Sequence, residues 1–186
     1  MKQTFEKALV QRILARERDA CMQLIREHHG PIYRLLFHLC RNEHRAEDLT
    51  QETFAGAWVG LRDFGGTSSL RTWLHRIAYR KFLDSERRKR PTPYSTVAAE
   101  FGYVDGGSPD PVAIAIAQEN SRQLYEALAQ LDDDDRDVIV LHYLQGLSYE
   151  EIAEVVGAPA GTLRWRKSRA IESLRGLLRK TLEYEC

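Results

Sequence analysis

The stretch Ser148–Ala170, SYEEIAEVVGAPAGTLRWRKSRA, decides the fold. Ser148 and Glu151 stand in the S-x-x-E relation of a capping box, which sets where a first helix begins. Ile152, Val155 and Val156 give that helix one apolar stripe. Gly157 can end it in a left-handed conformation, and Pro159 cannot continue it. A second helix follows, in which a step of ~100° per residue places Leu163, Ala170, Leu174 and Leu177 on one side. Arg164, Trp165, Ser168 and Arg169 fall on the other. Such a helix has its back in a core and a basic, aromatic front turned outward. Two helices on a tight turn, the second carrying that front, form the arrangement that seats a recognition helix in the major groove of DNA.

The 186 residues suit one domain of ordinary size or two small ones, and 43% apolar with 29% charged residues describes a soluble globular chain. No apolar run approaches the ~20 residues of a membrane span, and the first residues lack a signal-peptide core. Cys21, Cys40 and Cys186 show no C-x-x-C or metal-ligand spacing and read as reduced thiols in a cytoplasmic protein. His28-His29 have no third partner in register, so neither a metal nor another cofactor is expected.

The formal net charge of zero conceals a sorting of charge along the chain. Arg71–Arg90 holds eight Lys/Arg against Asp84 and Glu86, and Arg164–Lys180 holds seven against Glu172, each a net of +6. Glu43–Glu52 carries four acids against Arg45, and Asp132–Asp137 carries five against Arg136. Two basic surfaces separated by acidic ones suit two contacts with a polyanion. A run of acids at a helix start also favours the helix dipole, which accounts for Asp132–Asp135 without catalysis. No nucleophile–base pair is evident, and the chain is read as a non-enzyme.

Helical periodicity covers Phe5–Arg16, Asp19–His29, Pro31–Cys40, Arg45–Leu61 and Ser69–Arg88, with Gly30-Pro31 and Gly65-Gly66 as punctuation. Pro91–Ala117 then holds four prolines, three glycines, three acids and no Lys or Arg, the composition of a linker. Periodicity returns from Gln118, and alternation of the β type is absent. The expected fold is all-α, with helical domains at 1–90 and 118–186 joined by a flexible linker at 91–117. The 27-residue tether could extend to ~90 Å. Its ends would sit ~30 Å apart as a flexible coil. The two basic surfaces can then touch DNA sites more than one turn (~34–36 Å) apart.

In the first domain, Ala46, Leu49, Thr53, Ala57 and Gly60 line one side of Arg45–Leu61. Asp48, Gln51, Glu52, Ala55 and Trp58 occupy the rest of the circumference, an acidic and aromatic front suited to protein docking. Trp58 as a core residue is the equal alternative. A Gly-containing loop, Phe64–Ser69, leads into a helix whose apolar stripe is Leu70, Leu74 and Ile77. Beside it Trp73, Arg76, Arg80 and Arg87 form a second stripe. Arginines bind phosphates and an indole can stack on an unpaired base, so this stripe suits melting DNA. The plainer alternative makes Trp73 a core anchor.

DLTQETF…AW, SSLRTWLHRIA and GLSYEEIAEVVGAPAGTLRWRKSRA, in this order and with a linker between, resemble bacterial sigma factors of the extracytoplasmic-function group. The resemblance covers nearly the whole chain. It implies a region 2 bundle and a region 4 helix-turn-helix that bind core RNA polymerase and promoter DNA. By the resemblance, Asp48, Gln51, Glu52 and Trp58 dock on the clamp helices of the polymerase largest subunit. Phe64 and Ser68 belong to the loop that captures a flipped −10 base, while Trp73, Arg76, Arg80 and Lys81 lie along the melted strand. Thr162, Arg164, Trp165, Ser168 and Arg169 read the −35 element. The linker threads towards the RNA exit channel, and an anti-sigma factor is an implied partner. Arg80 stands where the family usually has Asn. Trp165 and Lys167 replace a small polar and an apolar residue in the recognition helix, so the family's −35 preference does not carry over. A dimeric operator-binding regulator would use the same helix-turn-helix but leaves the fronts of the first domain without a role.

Overall fold

The periodic segments fold as helices, and no strand occurs among the described residues. The computed structural model describes residues 2–88 and 123–184. The order is α1 (Lys2–Leu14), α2 (Arg18–Cys40), α3 (Glu43–Gly60), a 3-10 turn (Leu61–Asp63) and α4 (Leu70–Arg88). A helix at 123–129, α5, precedes α6 (Asp133–Ile139), a π-helical turn (Val140–Leu144), α7 (Tyr149–Val156) and α8 (Ala160–Tyr184). The linker expected at 91–117 lies outside the described residues.

Gly30-Pro31 does not end a helix, contrary to the reading of the sequence: α2 runs unbroken through both. Proline inside a helix costs ~3 kcal/mol or more through its missing N–H and its clash with the preceding turn. Here Ala20 and Leu24 before it, and Ile32, Leu35 and Leu36 after it, are buried in one core. Burial of a large aliphatic side chain is worth ~1.5–3 kcal/mol, so the apolar face outweighs the break. The left-handed Arg41 (φ 49°) then stops the helix by donating its N–H to the Phe37 carbonyl. Asn42 restarts the chain as the cap of α3, its side chain accepting from the Arg45 N–H at 2.9 Å.

The helix-turn-helix forms as its residues dictate. The Ser148 hydroxyl accepts from the Glu151 N–H at 3.2 Å, and Glu151 Oε2 accepts from the Ser148 N–H at 2.9 Å. Gly157 is left-handed (φ 76°) and donates its N–H to the Ala153 carbonyl. Leu163, Ala170 and Leu174 are buried, as the periodicity required. Ala170 and Leu174 join Ala127, Leu128, Leu131 and Ile139 in a small cluster between α5, α6 and α8.

The two halves do not stand apart. Val138, Val140, Leu141, Leu147, Ile152, Val155 and Leu163 belong to the same buried cluster as Leu24, Leu36 and Leu74. The seam lies where α4 meets α7 and α2 meets the π turn. Arg71, Thr72, His75 and Tyr79 occupy that side of α4. Arg71 donates to the Gln145 carbonyl, and the Thr72 hydroxyl donates to Glu151 Oε1 at 3.0 Å. The fully buried His75 donates from Nδ1 to the Arg71 carbonyl at 2.8 Å, and its Nε2 lies 3.4 Å from Oε1 of the Gln145 side chain. The Tyr79 hydroxyl donates to Asp137 Oδ2 at 2.7 Å. Burial lowers the His75 pKa and keeps the ring neutral.

Asp137 is buried and its second oxygen has no partner among the described residues. Burial pushes its carboxyl up to about 6, against the opposing pull of the Tyr79 hydroxyl and the Arg136 charge. Asp133 and Asp134 add to the rise. A raised carboxyl binds protons more readily in the folded chain than in the unfolded one. Its contribution to stability therefore grows as pH falls from above 6 towards 4. His38, stacked on Tyr125 at 5.3 Å, is depressed to about 4 chiefly by burial and works in the opposite sense over the same window. Asp137→Asn removes the first effect alone. The variant is expected to be more stable than the parent at pH 7.5 by about 1–3 kcal/mol. The gap should close as pH falls to 4.5 in urea melts, and a constant gap would refute the assignment.

Candidate polymerase and nucleic-acid interface

Three outward fronts can be followed residue by residue. On α3 the small side Ala46, Leu49, Thr53 and Ala57 is buried, which turns Asp48, Gln51 and Glu52 to solvent. Trp58 is 38% exposed and its neighbour Val59 is 79% exposed. Of the two readings of Trp58, the outward one matches its position. Glu52 Oε2 sits 3.6 Å from Lys81 Nζ, so the acidic front of α3 and the basic strip of α4 share an edge.

The α4 front is narrower than the sequence suggested. Arg80 is exposed, and Arg76 and Lys81 are half-buried. Trp73 is not on this front: it is 8% exposed, its ring meeting Phe64 edge-on at 5.3 Å and lying over Gly60. This corrects the expectation of an outward indole. Gly60 and Phe64 form a slot for a ring, and Trp73 lies beside the apolar stripe closely enough to fill it. Phe64 is thereby engaged in the core as a lid on Trp73, while Ser68, half-buried, stays in the loop. That loop is tied from outside by α1, whose Glu6 carboxylate accepts from the Leu70 N–H at 3.1 Å. Ser69 caps α4, its hydroxyl accepting from the Thr72 N–H at 3.0 Å.

On α8, Thr162, Arg164, Trp165, Ser168 and Arg169 are all exposed, Trp165 at 58%. The sequence missed what surrounds their cations. Arg164 pairs with Glu150 at 2.9 Å and lies over the Tyr149 ring at 5.2 Å. Arg166 reaches Asp134 at 2.6 Å. Arg169 grips Asp135 with Nε and Nη2 at 2.6 and 2.7 Å, and its Nη2 lies 3.4 Å from Asp132. Its guanidinium also covers the Trp165 ring at 4.7 Å. The acidic run before and within the first turn of α6 is thus the counter-charge of the recognition helix as well as a match to the helix dipole. The opposite sign of the two runs was the available signal.

No cluster of metal-ligating side chains occurs among the described residues, and no described helix is long and apolar enough to cross a membrane.

Comparison with known proteins places this geometry. The sigma-70 region 2 family matches residues 24–92, and sigma-70 region 4 matches 121–174. The extracytoplasmic-function (ECF) sigma factor SigW of Bacillus subtilis is 32% identical over 182 residues, covering 93% of this chain and 96% of its own. The chain belongs to the ECF sigma factors. SigE of Mycolicibacterium smegmatis is 35% identical over 158 residues, 85% of this sigma factor, which spans 61% of that relative's length. Among solved structures, CnrH bound to the cytosolic domain of CnrY superposes with a TM-score of 0.70 at 26% identity, covering 94% of this chain and 97% of that one. The sigma factor RpoE of Bartonella quintana, bound to the anti-sigma factor NepR, gives 0.68 at 25% identity over 88% of this chain and 98% of its own.

The buried Trp73 yields a prediction specific to this sigma factor. Trp73→Ala should destabilise the fold by about 3–5 kcal/mol, the range for emptying an aromatic core site. Thermal melting of the isolated chain checks it. An unchanged melting temperature would return Trp73 to the surface.

Proposed function

We propose that this sigma factor binds core RNA polymerase through α3, directs it to promoters by contacts with −10 and −35 elements, and helps melt the −10 region. Promoter-specific initiation is the work of its family. The division into region 2 at 1–90, a linker at 91–117 and region 4 at 118–186 is part of the proposal. Asp48, Gln51, Glu52 and Trp58 form the polymerase-docking front. Phe64, Ser68, Arg76, Arg80 and Lys81 border the path of the non-template strand, with Trp73 supporting that surface from beneath. Thr162, Arg164, Trp165, Ser168 and Arg169 form the −35 front. One observation carries the reading: the Lys81–Glu52 pair joins a basic strip to an acidic, aromatic patch on a single surface of region 2. A nucleic-acid strand and a protein can meet there side by side.

The protein acts in the cytoplasm without catalysis or cofactor of its own, as an adaptor that lends sequence preference to the polymerase. Reading two elements more than a turn of DNA apart draws region 4 away from α4, and the linker has the length for that excursion. An anti-sigma factor, the class of protein that binds RpoE of Bartonella quintana, is the expected regulator, holding the two units where they cannot part.

Glu52→Arg reverses the charge at the centre of the docking front while leaving the buried side of α3 intact. It should weaken association with core RNA polymerase at least ~10-fold, on the order of 1.4 kcal/mol, with an unchanged circular-dichroism melt. Equal retention of parent and variant on immobilised core polymerase would remove α3 as the docking site.

A further inference from the structure

We propose that Trp165 selects a thymine in the −35 element by its 5-methyl group, its indole held for that contact by an Asp135–Arg169 pair. The proposal rests on the −35 role of the α8 front and divides the labour among its residues.

Thr162, Trp165 and Arg169 follow one another at i, i+3 and i+7, a single line along the exposed side of α8. An arginine in this line would ordinarily read guanine with two parallel N–H groups. For Arg169 that use is opposed. Of its two bidentate edges the Nε–Nη2 one is committed to both oxygens of Asp135, and Nη2 also leans towards Asp132. The Asp135 side chain is only 4% exposed. Freeing Arg169 for DNA would leave that carboxylate buried without its partner, which opposes the exchange.

The two neighbouring arginines turn to carboxylates as well. Arg164 is drawn to Glu150 and the Tyr149 ring, and Arg166 to Asp134. The group left prominent on the front is the indole, more than half exposed and with one face laid on the Arg169 guanidinium. Stacking on a guanidinium that is itself fixed by a bidentate pair restricts the ring before DNA arrives, so little side-chain entropy remains to be lost on binding. The edge of a base pair in the major groove offers one apolar group, the methyl of thymine. A rigid indole edge therefore separates thymine from cytosine and from uracil, which lack that methyl. Asp135 and Arg169 are positioning residues, acting on DNA through Trp165.

Reconstituted holoenzyme (this chain with core RNA polymerase) provides the test. A promoter library with a randomised −35 segment is selected by transcription, and each thymine of the selected element is then replaced singly by deoxyuridine. At one position the parent should lose about fourfold in promoter binding, the worth of one buried methyl group. Trp165→Ser should bind thymine and deoxyuridine there equally. Asp135→Asn should shrink the same ratio towards one while preferences at other positions persist, whereas a purely structural role would weaken all promoters alike. Three outcomes overturn the proposal: no thymine is selected, no deoxyuridine substitution has an effect, or Arg169→Lys abolishes preference at a guanine. If the holoenzyme yields no start-site-specific transcript at all, the sigma-factor assignment of the front fails first.

Discussion

The packing of α4 against α7 is the contact on which the rest of the structure depends. Leu74 and Ala78 of α4 are buried in the same apolar cluster as Leu141, Leu147 and Ile152, which supplies most of the adhesion. Apolar contact alone does not fix how one helix sits on another. The directional bonds at the seam do: Tyr79 to Asp137, Thr72 to Glu151, Arg71 to the Gln145 carbonyl. Each leaves a buried polar group unsatisfied if the helices slide, so the register is steep even though the net gain per bond is small. Burial on nearly every side leaves α4 one thin exposed strip, centred on Arg80 and edged by Arg76 and Lys81. α2 and α3 cover part of α4 and α7 another, and the basic strip is what these three leave open.

Charge organisation follows the same logic at the other end of the molecule. A recognition helix with four cations between Arg164 and Arg169 would repel itself at close spacing. The carboxylates of Glu150, Asp132, Asp134 and Asp135 draw three of them, Arg164, Arg166 and Arg169, in separate directions. The exposed pairs among them, Arg164–Glu150 and Arg169–Asp132, contribute little to stability. Their effect is on shape: they decide which functional group of each long side chain faces outward. The zero net charge of the whole chain is in part the outcome of acids placed to meet these bases.

Much of this was legible in the residues. The capping box, Gly157 and the spacing of Leu163, Ala170 and Leu174 specified the helix-turn-helix because each signal is local and backbone-determined. The small side of α3 could be read from helix geometry, since Ala46, Leu49, Thr53 and Ala57 leave one way for the helix to face. What escaped was tertiary. Pro31 reads as a terminus when judged by its ring, and only a core on both sides of it shows why α2 continues. Trp73 reads as outward because its helix has a stronger apolar stripe beside it; the slot between Gly60 and Phe64 exists only once the chain is folded. Thr72, His75 and Tyr79 look like solvent residues because hydropathy scores a side chain without its partner. The pairing of Asp135 with Arg169 spans 34 positions and left only two runs of opposite sign as its trace.

The π turn at Val140–Leu144 joins α6 to the helix-turn-helix with one residue to spare. The Gln145 N–H donates to the Val140 carbonyl five residues back, so this turn holds one residue more than an α-helix would. The extra residue is taken up within a single turn, which widens the helix end without changing the direction in which the chain leaves it. From that end the Gln145 carbonyl reaches Arg71, Leu147 enters the apolar centre and Ser148 opens the capping box of α7. The irregular turn is thus a joint, and it hands the recognition helix a start that is already anchored on α4.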